Sequence, residues 1–113
     1  MSTPTKTLFV RLVAKPGQRD QLAAVLNEII RECETEPGTR EYKMSFEDDN
    51  ADAIRFYESY DDWSAFEAHK VHRDTMTDLN RRMDQFRLSE ELTHTTFMGG
   101  FGLPQEKRAV ELQ

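Results

Sequence analysis

The chain has 113 residues, 37% of them hydrophobic and 32% charged, which predicts one domain spanning residues 1–113. The net charge is −6, and the 15 Lys and Arg residues are scattered among 21 acidic residues, so neither nucleic acid nor a membrane surface is expected as a partner. One cysteine, Cys33, allows no intrachain disulfide and favours a reducing, cytoplasmic setting.

The first half of the chain predicts a strand, a helix and a hairpin. Residues 6–14 are rich in strand-forming residues, with alternating faces. Residues 18–35 carry apolar side chains at i, i+3, i+4 and i+7, which indicates an amphipathic helix. Residues 40–46 alternate again, and an acidic turn joins them to a further strand at 53–60. A Pro-Gly pair ends both the first strand and the helix.

The second half predicts helical structure followed by a last strand. Asp61 or Asp62 is expected to cap a helix, because a short acceptor side chain satisfies the free N–H groups there. A second helical stretch over 76–86 either continues this helix or follows a kink near residues 72–74. Residues 92–98 predict the fourth strand.

The predicted order of elements is β-α-β-β-α-β. This order is typical of an α+β, ferredoxin-like split βαβ fold, in which helices cover one face of a four-stranded antiparallel sheet. The other face needs a cover, and the apolar fraction is low, so a homodimer is expected. The core covers about residues 6–98, and the tail, 99–113, is either loose or reaches the partner subunit.

Three motifs in order resemble the antibiotic biosynthesis monooxygenase (ABM) family of dimeric α/β-barrel proteins. They read AKPGQRDQLAAVLNEI, EPGTREYKMSFEDDN and RFYESYDDWSAFEAH. The resemblance implies a homodimer with a pocket between sheet and helices. It also implies oxidation of small phenolic or quinol molecules without metal, haem or flavin. Some members of the family instead act as isomerases, and others degrade haem.

Two positions depart from the family pattern. Tyr60 stands where the family often carries Trp, and Trp63 follows three residues later. The first strand, KTLFVRLVA, lacks the Asn that the haem-degrading branch uses, which counts against haem. No cofactor is therefore expected.

His69 is the first candidate for catalysis, because it matches the helix histidine of the family. Imidazole ionises near neutrality and can take a proton from a phenol. Trp63 and Phe66 share its helix face at i, i+3 and i+6 and could enclose a flat ring, and Tyr60 could complete the wall. The alternative is that His69 is a half-buried structural histidine and that the aromatic residues are core.

Three further residues are weaker candidates. Tyr57 could orient a substrate oxygen and Arg55 could hold an oxyanion, although packing and a surface ion pair are the alternatives. His72, three residues after His69, could reach the substrate. A metal shared by the two histidines has no supporting Cys or HExxH context, so no metal is expected. Asn80 and His94 fall outside any recognisable motif.

The function predicted from these features is a cofactor-free monooxygenase acting on a small aromatic molecule. Such an enzyme needs an apolar pocket, a base and donors for the oxyanion. Two alternatives remain open: a non-catalytic dimeric domain that binds a small molecule, and an isomerase acting on a small hydroxy-ketone. The chain has no GxGxxG, GKS/GKT or GxSxG motif that would indicate another class.

Overall fold

A computed structural model describes residues 5–102 of the chain. Seven elements follow the predicted order, with the helical region after residue 62 divided in two. They are β1 (Lys6–Ala14), α1 (Arg19–Cys33), β2 (Thr39–Phe46), β3 (Ala53–Tyr60), α2 (Trp63–Thr75), α3 (Thr77–Phe86) and β4 (Arg87–Thr96). The prediction for the tail beyond residue 102 lies outside the described residues.

The four strands form one antiparallel sheet in the order β2-β3-β1-β4. This is the ferredoxin-like arrangement predicted from the sequence. Its core lies between the sheet and α1, where alternate residues of β1 meet the apolar stripe of the helix. The fully buried members on α1 include Leu22, Ile29 and Ile30. No helix within residues 5–102 is both long and apolar enough to cross a membrane.

The boundary between the two later helices lies at Met76, beyond the kink that the sequence suggested near residues 72–74. Met76 leaves helical geometry with φ −84° and ψ 58°, and its N–H still bonds to the carbonyl of Arg73. Asn80 Nδ2 also donates to the Arg73 carbonyl at 2.8 Å. The Arg73 carbonyl therefore accepts two hydrogen bonds at the helix break, and the one from Asn80 links α3 to the end of α2.

Two other predicted boundaries are resolved. The helix cap is Asp62, whose side chain accepts a hydrogen bond from the N–H of Ala65. The last strand begins at Arg87 rather than at residue 92. Its first half, RLSEE, carries little apolar patterning, but it pairs with β1. Edge pairing with β1 overrides the local propensity there.

Candidate active site

A cavity of about 290 Å³ lies between the sheet and the helices, with most of its helical lining on α2. Its volume is at the lower end of the range of about 300–1,000 Å³ typical of small-molecule sites, which suits a ligand of one or two rings. Its lining is mixed apolar and polar: Leu8, Val10, Leu12, Leu26, Tyr42, Phe56, Glu58, Phe66, His69, Lys70, Arg73, Asp74, Met83, Glu90, Leu92 and His94.

The strand register builds the floor of the cavity. Leu8 pairs with Glu58 on one side and with His94 on the other, and Glu58 pairs with Tyr42. One row of side chains therefore crosses all four strands, on the face turned to the helices. This row carries a phenol, a carboxyl group and an imidazole into the cavity wall, so residues far apart in the sequence become neighbours.

His69 lies in the cavity wall on α2 and is only 5% exposed. Its Nδ1 is 2.9 Å from Oε1 of Glu36, which follows the end of α1. The same carboxylate accepts a hydrogen bond from Thr39 and contacts Nδ1 of His72. Burial alone would raise the pKa of Glu36, but hydrogen bonds from His69, Thr39 and His72 outweigh it and hold that pKa at about 2.

This arrangement selects the tautomer of His69. An ionised Glu36 only accepts hydrogen bonds, so Nδ1 of His69 carries the proton that it donates. In the neutral ring Nε2 is then the free acceptor, and it lies 3.9 Å from Oε1 of Glu58. A carboxylate that fixes one imidazole nitrogen so that the other can accept a proton is the arrangement of a general base.

Glu58 is a buried carboxyl group on the floor of the cavity, 4% exposed. Burial raises its pKa, although the hydrogen bond from the Tyr60 hydroxyl and the charge of His69 act in the opposite direction. Burial and the charge of Glu58 likewise raise the pKa of Tyr60, which keeps its hydroxyl protonated as the donor in this pair. The cavity thus contains two groups, Glu58 and His69, that can exchange protons.

The structure places the predicted aromatic residues at different depths. Phe66 lines the cavity beside His69. Tyr60 is fully buried and lies behind the wall, with its hydroxyl bonded to Glu58. Trp63 is 55% exposed at the start of α2, where its ring contacts Phe66 from outside. His72 contacts Glu36 and is not part of the cavity lining.

Tyr57 and Arg55, the other two residues predicted to be catalytic, do not line the cavity that contains His69. Strand side chains alternate between faces, and these two point away from the helices. Tyr57 packs against the ring of Phe9 there, at 5.2 Å between centroids. Arg55 forms an ion pair with Glu47 at 2.9 Å. Both faces of β3 carry aromatic residues, so the sequence pattern alone did not identify which face of the strand is buried against the helices.

Cys33, Glu36 and His69 form a group that could hold a metal ion, since one ligand atom from each lies within 4.8 Å of the others. The group is also a connected hydrogen-bond cluster, with Cys33 Sγ 3.8 Å from Nδ1 of His69. Burial raises the pKa of Cys33, so its thiol is a neutral member of this hydrogen-bond cluster. These observations fit a cluster that positions His69.

Most of the cavity lining was not among the candidates drawn from the sequence, and the missed residues include Tyr42, Glu58, Arg73 and His94. One signal was available for Arg73, because it lies four residues after His69 and therefore on the same face of α2. The strand residues carried no such signal. Their meeting depends on the register of three strand pairs, which no local pattern encodes.

Comparison with solved structures finds the same fold in several proteins. A candidate antibiotic biosynthesis monooxygenase from Chloroflexus aurantiacus is 25% identical, with a TM-score of 0.73 over 87% of this chain and 97% of that one. Protein SO0527 from Shewanella oneidensis is 19% identical, with a TM-score of 0.76 over 84% and 92%. A candidate antibiotic biosynthesis monooxygenase from Bacteroides thetaiotaomicron is 19% identical, with a TM-score of 0.74 over 88% and 95%.

A comparison with curated proteins finds no significant match. The family model for antibiotic biosynthesis monooxygenases matches residues 7–76, which include β1 from Thr7 onward, all three motifs and the whole of α2. This region contains His69, Glu36 and Glu58. The chain therefore belongs to the antibiotic biosynthesis monooxygenase family.

Proposed function

We propose that this protein is a cofactor-independent monooxygenase that oxidises a small phenolic or quinol-type aromatic molecule with O₂. The observation that carries the proposal is the pairing of His69 with Glu36 at the wall of a small cavity. Membership of the antibiotic biosynthesis monooxygenase family supports the same reaction class. The substrate ring would pack against Phe66, with one hydroxyl towards Nε2 of His69.

The proposed chemistry starts with proton transfer from the substrate hydroxyl to Nε2 of His69. Glu36 stabilises the imidazolium that forms, since it already accepts from Nδ1. The phenolate is electron-rich and reduces O₂. One oxygen atom replaces the ring hydrogen as a new carbonyl, and the other leaves as water with two protons, so that a phenol and O₂ give a quinone and water.

We further propose that the protein acts as a homodimer in the cytoplasm. Phe9 and Tyr57 lie together on the sheet face that no helix within residues 5–102 covers, and Phe9 is 50% exposed. A half-exposed Phe9 that packs against Tyr57 on this face favours a contact with a second copy. Cys33 is a free, buried thiol, which suits a reducing compartment.

A second candidate function is isomerisation of a small hydroxy-ketone. The observation in its favour is the separation of 3.9 Å between His69 Nε2 and Glu58 Oε1. A base and an acid that line the same cavity can move a proton between adjacent carbons of a bound substrate. O₂ consumption separates the two reactions, since isomerisation consumes none. A non-catalytic binding domain would bind the same aromatic molecules without turnover of either kind.

The test is O₂ uptake with a panel of hydroquinones and phenols, comparing the wild type with His69→Asn. An Asn side chain keeps an N–H where Nδ1 donates to Glu36 but has no atom in the place of Nε2. We expect uptake by the wild type and a loss of about 10²–10⁴-fold per folded molecule in the variant. Tyr57→Phe is the matched control on the opposite sheet face and should retain activity. Unchanged turnover in His69→Asn would refute the role of His69 as base.

A further inference from the structure

Arg73 brings a positive charge to the cavity wall. It lies on α2 one turn after His69, at i+4, and both residues line the cavity. Residues at this spacing have Cβ atoms roughly 5–6 Å apart on one helix face. A ligand of single-ring size could therefore contact both side chains at once.

The hydrogen-bond partners of the Arg73 guanidinium are neutral. Its Nη1 donates to Oδ1 of Asn80 and to the sulfur of Met76, and its Nη2 is 3.9 Å from the sulfur of Met83. Across residues 5–102, no carboxylate forms an ion pair with it. A guanidinium carries five N–H donors in a planar fork that matches a carboxylate, so this side chain retains capacity for an anion.

The acidic residues of the cavity lining have other partners or lie in solvent. Glu58 accepts a hydrogen bond from the Tyr60 hydroxyl, and Glu90 pairs with Arg87 at 3.1 Å. Asp74 is exposed at the rim. None of these carboxylates therefore occupies the fork of Arg73.

Asn80 holds Arg73 in this position. The side chain of Asn80 bonds to the guanidinium through Oδ1 and to the carbonyl of Arg73 through Nδ2, across the break between α2 and α3. Two contacts from one amide restrict both the backbone and the end of the arginine side chain. The cation is thus held in place before a ligand arrives, which lowers the entropic cost of binding.

We propose that Arg73 is an anion-binding subsite and that the substrate is a single aromatic ring carrying a carboxylate. The inference rests on the proposed function for the role of His69, and it adds the class of substrate. The carboxylate lies against the guanidinium, the ring against Phe66, and a ring hydroxyl against Nε2 of His69. Lys70, at the rim of the same cavity, adds a second positive charge.

The test measures binding under anaerobic conditions, so that it is independent of turnover. The probes are 2,5-dihydroxybenzoate and its methyl ester, which share ring and hydroxyl groups and differ in the charge. We expect calorimetry to show about 10- to 100-fold tighter binding of the acid to the wild type, as for a charge-assisted hydrogen bond. Arg73→Gln should lose this preference.

Arg81→Gln is the matched control, since Arg81 is an exposed arginine on α3 whose loss changes the net charge equally. It should keep the preference for the acid. Equal or tighter binding of the ester by the wild type, no binding of the acid at millimolar concentration, or a preference that survives in Arg73→Gln would overturn the subsite. The wild-type comparison decides by itself if Arg73→Gln does not fold.

O₂ uptake with the same two compounds separates this inference from the proposed function. Uptake with both compounds and no preference for the acid would refute the subsite and leave the monooxygenase standing. A preference for the acid that disappears in Arg73→Gln, without O₂ uptake, would support the subsite and count against the monooxygenase.

Discussion

Glu36 is the residue on which the proposed site depends most, because its carboxylate meets three side chains at once. His69 contacts one of its oxygens at 2.9 Å, Thr39 donates to the same oxygen at 2.6 Å, and His72 contacts the other. A carboxylate with only 11% of its side chain exposed stays charged through such contacts. The position of His69 is therefore linked to the ionisation of Glu36.

This linkage predicts how stability changes in acid. The pKa of Glu36 is about 2 in the folded protein against an ordinary value of 4.5, so it is lowered on folding. Its contribution is complete above pH 4.5 and is lost as pH falls towards 2; it amounts to roughly 3 kcal/mol. Urea unfolding at pH 7 and pH 3 should show a smaller acid loss in Glu36→Gln than in the wild type. Glu32→Gln, exposed on α1, should behave as the wild type.

At the scale of elements, the strand β2 approaches α2 unusually closely where it starts. A Cβ on Gly38 would lie 2.6 Å from Cβ of Ala65 in the first turn of that helix. The sequence predicted only that Pro37-Gly38 ends the first helix. The structure adds that glycine is required for helix and strand to meet, and this approach keeps α2, with His69, on the sheet.

Gly38→Ala should therefore separate α2 from β2 and lower stability. Overpacking of this kind costs about 1–3 kcal/mol, which a lower midpoint of thermal or urea unfolding would reveal. Gly99→Ala is the control, because a Cβ at Gly99 meets no atom within 4 Å. Equal midpoints for Gly38→Ala and the control would show that the backbone adjusts freely at this contact.

At the scale of the whole molecule, the helices of the described residues, 5–102, cover one face of the sheet and leave the other uncovered. Arg11 and Arg55 share Glu47 on the uncovered face, and Phe9 packs on Tyr57 between the polar groups. A two-layer domain leaves such a face to water or to a partner. Phe9, which is 50% exposed and packs against Tyr57, favours a partner.

We expect light scattering to give twice the chain mass of 13.2 kDa at micromolar concentration. Phe9→Lys should shift the protein towards monomer, because it places a charge in the proposed contact. Val71→Lys makes the same kind of change at an exposed position on α2, with 67% exposure, and should leave the mass unchanged. A monomeric wild type would refute the dimer.

The amino-acid sequence by itself determined the order of the elements and the face shared by Phe66 and His69. Helix stripes, strand alternation and Pro-Gly stops are local patterns, so they are readable without knowledge of the fold. The same locality explains the identification of the family from three short motifs.

Only the tertiary structure decided which groups surround His69. Glu36 lies 33 residues before His69 in the chain, and it meets the histidine because α1 ends beside α2. Tyr57 and Arg55 face away from the cavity, whereas their neighbours Phe56 and Glu58 face into it, since burial selects one side of a strand whose two sides look alike in sequence. Contacts of this range depend on packing and strand register, and no short stretch of sequence contains them.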